Sequence, residues 1–234
     1  MKNEIESKIA VVFGSEGGIG KAIGEKLMSC GFQVKKFDKK LGNDILDEKS
    51  VIEITRNVDF VVNAVGIMSV SPIEELSVDE FNRTCEVNLT GSFIVTKACK
   101  INKVENLVLI SSNSGLSGFS NMSAYCASKF GIIGLMESAS KEMASYGGIC
   151  NAICPTALKY GQTEMTIFQG EKFMKSMKLN STEELDKALS SRIPLKRLCD
   201  VEDIAEWVGF LATMKSNYLT GQAISLTGGM NMVK

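Results

Sequence analysis

Short apolar runs alternate with amphipathic stretches along most of this 234-residue chain. Residues 9–13 read IAVVF, an unbroken apolar run that ends in glycines. Such a run predicts a strand covered on both faces of a parallel sheet. Ile19, Ala22, Ile23 and Leu27 then fall at helical spacing, and Gly31 stops the helix. Residues 32–37 predict a second strand, 51–56 a short helix and 60–65 a further strand. Pro72 and Ser77 are turn and cap signals ahead of a long helix over 78–100. The remainder predicts a strand at 106–110 (NLVLI), a helix at 124–145, a strand at 150–154, an amphipathic helix at 201–214 and a last strand at 222–226. Strands and helices alternating in this way specify an α/β domain on a parallel sheet.

One spacing breaks the rhythm. A strand-like segment, 41–45, follows almost directly on Asp38 at the end of the second strand. A parallel crossover needs about a dozen residues or more. The helix expected between the second and third strands is therefore missing or truncated. Residues 41–45 become a loop or a stunted edge segment, and the sheet is expected to be poorer on that flank.

Composition adds mainly exclusions. The three prolines sit in no Pro/Ser-rich linker and there is no repeat, so residues 1–234 read as one domain. There is no histidine. That removes Ser-His-Asp and Cys-His nucleophile systems and His-ligated metals, leaving acid–base work to Asp, Glu, Lys, Tyr or Cys. The 26 basic residues balance 27 acidic ones, which argues against a surface made for nucleic acid or an anionic membrane. Residues 1–8 are charged and lack the apolar core of a leader, and no apolar run approaches the roughly 20 residues of a membrane span. Seven scattered cysteines, odd in number and without a CxxC, read as reduced thiols rather than disulfides or a metal site. A cytoplasmic protein without a metal is expected.

The first strand-to-helix turn carries candidate chemistry. Gly14-Ser15-Glu16-Gly17-Gly18-Ile19-Gly20 places glycines for a tight turn (Gly14), for close backbone approach (Gly18) and for helix-on-strand packing (Gly20). Free N–H groups and the dipole at the helix start, around Ser15, Gly18 and Ile19, favour a pyrophosphate there. The ordinary alternative is a plain tight loop. Asp38 lies 18 residues beyond Gly20, where a carboxylate accepts ribose hydroxyls and repels a 2′-phosphate, so NAD is the expected cofactor. Lys39 and Lys40 beside it leave NADP open.

Tyr125 and Lys129, four residues apart, share one helix face. Ser112 follows the strand 106–110, at the carboxyl end where open α/β sheets bind ligands. Asn88 lies in the preceding helix. Together with GSEGGIG at 14–20, VNAVG at 62–66, EVNLTGSF at 86–93, LISSNSG at 109–115, AYCASKFGIIGL at 124–135, NAICP at 151–155, RIPLKR at 192–197 and YLTGQAISLTGGM at 218–230, these segments resemble the short-chain dehydrogenase/reductase family from residue 9 to 230. Phe13, Ala64, Val65, Thr156 and Thr227 depart from the family's pattern, and none of them touches the four residues that carry its chemistry.

The resemblance implies a Rossmann-like, doubly wound sheet and a catalytic tetrad of Asn88, Ser112, Tyr125 and Lys129. It further implies cofactor contacts at Asp44, Ile45, Asn63, Ala64, Gly66, Tyr125, Lys129, Pro155 and Leu158, and a substrate lid over 156–193. The implied reaction moves a hydride between a secondary alcohol and a ketone, with Tyr125 as general acid/base. Lys129 together with the positive nicotinamide of NAD⁺ is expected to lower the phenol's pKa, and Lys129 to hold the nicotinamide ribose. Ser112 would hold the substrate oxygen, and the Asn88 carbonyl would anchor a proton-relaying water. Lid residues Tyr160, Met165, Ile167, Phe168, Phe173, Met174 and Met177 could wall a ring or chain, and Lys159, Lys172, Lys175 and Lys178 could meet an anion. Two alternatives stay open: an acyl-carrier-type NADPH reductase and a non-catalytic nucleotide-sensing relative. Pairing into dimers or tetramers through the Asn88 and Tyr125 helices is implied as well.

Overall fold

A strand with no polar face must be covered twice, and the helices divide to do so. The computed structural model describes residues 8–231; residues 1–7, most of the charged segment read above as lacking a leader's core, lie outside the described residues. Six parallel strands are ordered β2-β1-β3-β4-β5-β6. They are β1 (Ile9–Phe13), β2 (Gln33–Phe37), β3 (Phe60–Asn63), β4 (Asn106–Ile110), β5 (Ile149–Pro155) and β6 (Ala223–Leu226). The helices are α1 (Gly18–Ser29), α2 (Glu48–Ile54), α3 (Val78–Cys85), α4 (Gly91–Asn102), α5 (Ser123–Met143), α6 (Glu164–Met177), α7 (Thr182–Ser190) and α8 (Val201–Thr213).

Successive strand residues point to opposite faces. Val11, Phe13, Val61, Leu107 and Leu109 pack with Ile94 and Val95 of α4 and Ile132 and Met136 of α5. Ala10, Val12, Phe60, Val62 and Val108 pack with Ile23 and Leu27 of α1 and Ile204 and Val208 of α8. The chain forms a single α/β domain of Rossmann-like type. It leaves β1 for β2, then crosses back over β1 to β3. The crevice opened at that reversal, beyond the carboxyl ends of the strands, is where ligands bind in such sheets.

The shortened flank is as the spacing requires. Between Phe37 and Asp44 there is only a 3-10 turn, Lys39–Leu41, and 41–45 contributes no strand, so β2 is left at the sheet edge. Asp38 caps that turn, accepting from the Lys40 N–H at 2.8 Å. The short helix predicted at 51–56 forms slightly earlier, at Glu48–Ile54, because the Asp47 carboxylate caps it.

The long helix predicted over 78–100 is not continuous. It is α3, a π turn at Glu86–Thr90, then α4. Residues 156–193 form α6 and α7, and Thr163 with Thr166 makes a capping box at the start of α6. Among the described residues no helix is long and apolar enough to cross a membrane.

Candidate active site

The glycine-rich turn folds tightly beneath α1. Gly14 has φ +79, and a Cβ on Gly20 would collide with the Gly14 carbonyl. Gly17, the N-cap of α1, offers no side-chain acceptor, so the first N–H groups of the helix stay available. The Ser15 hydroxyl is buried and has no hydrogen-bond partner. An orphaned donor at a helix start with free N–H groups is the arrangement a phosphate satisfies, so the residues fit a dinucleotide.

A cavity of about 410 Å³ opens beside this turn. Gly14, Asp38, Asp44, Ile45, Ala64 and Gly66, all expected at a cofactor, line it together. The Asp38 carboxylate is held rigidly, one oxygen accepting from the Glu16 N–H at 2.9 Å and the other from Lys40 at 2.8 Å. Ile45 turns its side chain into the core, against the open side of Gly91. Ile19, Ala64 and Leu158 pack against the α1–α8 core layer. Pro155 closes β5, paired with Leu226. Asn63 is 3% exposed, its Nδ2 donating to Ser92 Oγ at 3.0 Å and its Oδ1 accepting from the Val65 N–H at 3.0 Å. Its side chain braces the turn after β3 and does not line the cavity.

The four tetrad residues cluster behind Gly66, which lines this cavity: Lys129 and Asn88 approach Gly66, Lys129 lies over the Tyr125 ring, and Ser112 meets the Tyr125 hydroxyl. Tyr125 and Lys129 project from the first two turns of α5 and are 5% and 3% exposed. Ser112, just beyond β4, accepts from the Ser114 N–H at 3.1 Å and is hydrogen-bonded to the Tyr125 hydroxyl. Lys129 Nζ donates to the Ile110 carbonyl at 2.9 Å. Asn88 sits in the π turn, whose altered register turns its side chain inward. Its Oδ1 accepts from the Ile67 N–H at 2.8 Å, and its Nδ2 donates to the Ile67 carbonyl and to Ser128 Oγ, each at 2.9 Å. A Cβ on Gly66 would lie 3.4 Å from Lys129 Nζ and 3.6 Å from Asn88 Oδ1, so both reach the same spot. The Asn88 carbonyl accepts the Ser92 hydroxyl at 2.6 Å.

Burial dominates the electrostatics of the protein without its cofactor. Burial pushes the Tyr125 phenol up to about 12, against the smaller opposing effect of its hydrogen bond with Ser112. Burial also brings Lys129 down to about 8. The Lys129 ammonium lies 5.6 Å from the centre of the Tyr125 ring, over its face, and desolvation is the largest influence on the phenol. The phenol therefore stays protonated at neutral pH.

Several neighbours were not visible in the sequence. Met68, Val70 and Met122 pack around Tyr125 together with Met165 and Phe173 of α6. Arg83 and Glu164 line the cofactor-side cavity, and the Gln162 carbonyl lies so close over Gly18 that a Cβ there would collide with it. Met122, directly ahead of α5, had a positional signal. Arg83, Gln162 and Glu164 had none, since their place depends on contacts far away in sequence.

This fold, with a glycine-rich turn that fits a phosphate at its switch point, is that of the dinucleotide-binding α/β proteins. Comparison with known proteins narrows the class. The profile of the family described as Enoyl-(Acyl carrier protein) reductase matches residues 48–231. An uncharacterized oxidoreductase, YxjF, of Bacillus subtilis is 30% identical over 96% of this chain and 98% of its own. The 3-oxoacyl-[acyl-carrier-protein] reductase FabG of Rickettsia felis is 31% identical over 98% and 99%. Among solved structures, sorbitol-6-phosphate 2-dehydrogenase SrlD of Erwinia amylovora has a TM-score of 0.85 at 25% identity, covering 96% of this chain and 100% of its own. NAD⁺-bound xylitol dehydrogenase scores 0.83 at 25% identity, covering 97% and 100%. ElxO with NADP bound scores 0.80 at 26%, covering 96% and 98%. The chain belongs to the short-chain dehydrogenase/reductase family, a family of oxidoreductases that bind nicotinamide cofactors.

Proposed function

We propose that this protein is an NAD(H)-dependent oxidoreductase that interconverts a secondary alcohol and a ketone, with Tyr125 as the proton donor and acceptor. The observation that carries this reading is the clustering of Ser112, Tyr125, Lys129 and Asn88 behind Gly66, which lines the same cavity as Gly14 and Gly17 of the glycine-rich turn. A bound nicotinamide supplies or accepts the hydride. The turn at Gly14–Gly20, with the Ser15 hydroxyl, would hold the phosphates, and Asp38 the adenosine ribose. Asp44 and Ile45, Ala64 and Gly66, and Pro155 and Leu158 would flank the cofactor, and Lys129 would hold its nicotinamide ribose.

Ser112 Oγ would position the substrate oxygen against Tyr125 Oη, which passes its proton to that oxygen during reduction. The side chains around Tyr125 (Met68, Val70, Met122, Met165 and Phe173) favour a substrate with apolar substituents. α6 and α7 would act as the lid over it. Asp38 supports NAD(H) over NADP(H), and the NAD⁺-bound xylitol dehydrogenase is consistent with that choice.

A second reading, reduction of a 3-oxoacyl-carrier thioester with NADPH, is favoured by the relatives of that name and by the NADP-bound ElxO. Lys172 and Lys175 on α6, and Lys178 at its C-cap, would meet the carrier. Pairing of copies through α4 and α5 is part of the proposal, since Phe93 and Phe130 on these helices are half exposed. A reducing, cytoplasmic setting suits the seven free thiols.

The test is a panel of aliphatic ketones, polyols and 3-oxoacyl thioesters with NADH and NADPH, comparing wild type with Tyr125→Phe. Turnover of ketones with NADH that is lost in the variant is expected. Preferential turnover of thioesters with NADPH would establish the second reading, and a wild type that turns over nothing would leave the nucleotide-sensing alternative.

A further inference from the structure

The rim of the cofactor-side cavity carries an ion pair between two distant segments. Lys40 belongs to the 3-10 turn just after Asp38, and Glu164 is the first residue of α6. Lys40 Nζ donates to Glu164 Oε1 at 2.6 Å. Both side chains line the same cavity as Gly14 and Asp38. Glu164 is at home in the first turn of a helix, where the dipole favours a carboxylate. Its hydrogen bond also holds the Lys40 ammonium more firmly protonated.

Two nearby cations are matched in the same way, whereas Lys39 lines the cavity with no ion pair among the described residues. Arg83 bonds Glu86 at 2.8 Å, and Lys36 bonds Glu16 at 3.3 Å. A phosphate on the adenosine ribose would therefore gain the Lys40 ammonium only by displacing the Glu164 carboxylate. A ribose carrying only hydroxyls meets no such obstacle. Rejecting the wrong partner through like charge is an established route to specificity.

From this arrangement we infer that Glu164 biases cofactor choice by acting through Lys40: it neutralises a cation that lines the cavity beside Asp38 and adds a carboxylate that repels a 2′-phosphate. The inference rests on the NAD(H) reading and extends it, since the discriminating charge comes from the lid helix, not from the segment after β2 alone. The next residue, Met165, packs beside Tyr125, so the pair also ties the cofactor rim to the substrate wall.

Isothermal titration with NAD⁺ and with NADP⁺ tests this without a known substrate. Wild type, Glu164→Gln, Lys40→Gln and the double variant are compared. Glu164→Gln should tighten NADP⁺ about three- to fivefold, the range an exposed ion pair supports, and leave NAD⁺ within twofold. The gain should shrink at high salt and vanish in the double variant, because Lys40 is its source. Both side chains are exposed, and retained helical circular dichroism checks the fold. A wild type that binds NADP⁺ tighter than NAD⁺ overturns the NAD(H) reading itself. A wild type that prefers NAD⁺, with an unchanged ratio in Glu164→Gln or a gain that survives in the double variant, overturns the role of Glu164 alone.

Discussion

Tyr125 and Lys129 are adjacent turns of one helix, yet burial moves their proton affinities in opposite directions. It disfavours whichever form is charged, so the phenol rises to about 12 and the ammonium falls to about 8. Each shift is also a statement about stability. Between pH 8 and 10.5 the unfolded chain keeps a Lys129 proton that the folded protein has released, so stability rises with pH through that window. From the phenol's ordinary 10.0 up to about 12 the folded state keeps the Tyr125 proton longer, and stability falls. Buried thiols such as Cys150, Cys154 and Cys199, raised by burial from 9.0, act in the falling direction too. Comparison with Lys129→Met isolates the lysine. Urea unfolding of the cofactor-free protein should show wild type gaining about 2 kcal/mol on the variant between pH 7.5 and 9.5. Parallel curves for the two proteins would mean that Lys129 is not buried as a cation. Tyr125→Phe should lower kcat/KM by about 10²–10⁴-fold while cofactor affinity stays within a few fold. The identity of these residues was readable from motif and spacing. The direction of the phenol's shift was not, because it depends on how deeply α5 is covered, which a four-residue spacing does not record.

At the scale of elements, the strands were the most legible part. IAVVF and NLVLI have no polar face, and only a sheet covered on both sides accommodates such runs. The gap after Asp38 was legible for the same kind of reason, since chain length alone forbids a crossover there. The break in the helix predicted over 78–100 was not. A π turn changes the hydrogen-bond register without disturbing the apolar period, so Glu86–Thr90 looks helical in sequence. Asn88 is what the break serves. Its amide makes a two-way clamp on Ile67 and a bond to Ser128, joining the segment after β3 to α5. Asn88→Ala removes both partly buried bonds to the Ile67 backbone and the buried one to Ser128, and should destabilise the fold by about 1–3 kcal/mol, a loss seen as a lower urea midpoint at unchanged m-value. Cofactor binding should weaken too, because Gly66 rides on the same segment. A variant as stable as wild type would mean that water replaces the clamp. The ends of α6 and its contact with the glycine-rich turn lay beyond sequence reasoning, because Gln162 and Glu164 acquire their roles only from partners more than a hundred residues away.

On the scale of the whole molecule, α5 has two duties that fit together only if its outer face is covered. Its inner face carries Tyr125, Ser128 and Lys129 into the site, while Phe130 points outward at 46% exposure. Phe93 on the neighbouring α4 is 51% exposed. Two phenylalanines on adjacent helices offer a large apolar contact that water would otherwise wet. A second copy related by a two-fold axis would bring the same face back against itself. Light scattering should then give a mass of two or four times 25.4 kDa for wild type. The double substitution Phe93→Glu and Phe130→Glu should shift it towards 25.4 kDa, since pairing would bury four carboxylates without partners. Neither position touches the cavity or the tetrad, so the variant should still bind NAD⁺, with a lower thermal midpoint because α5 loses its outer support. A wild type that is monomeric at micromolar concentration, or a double variant that keeps its assembly, would rule this face out as the contact.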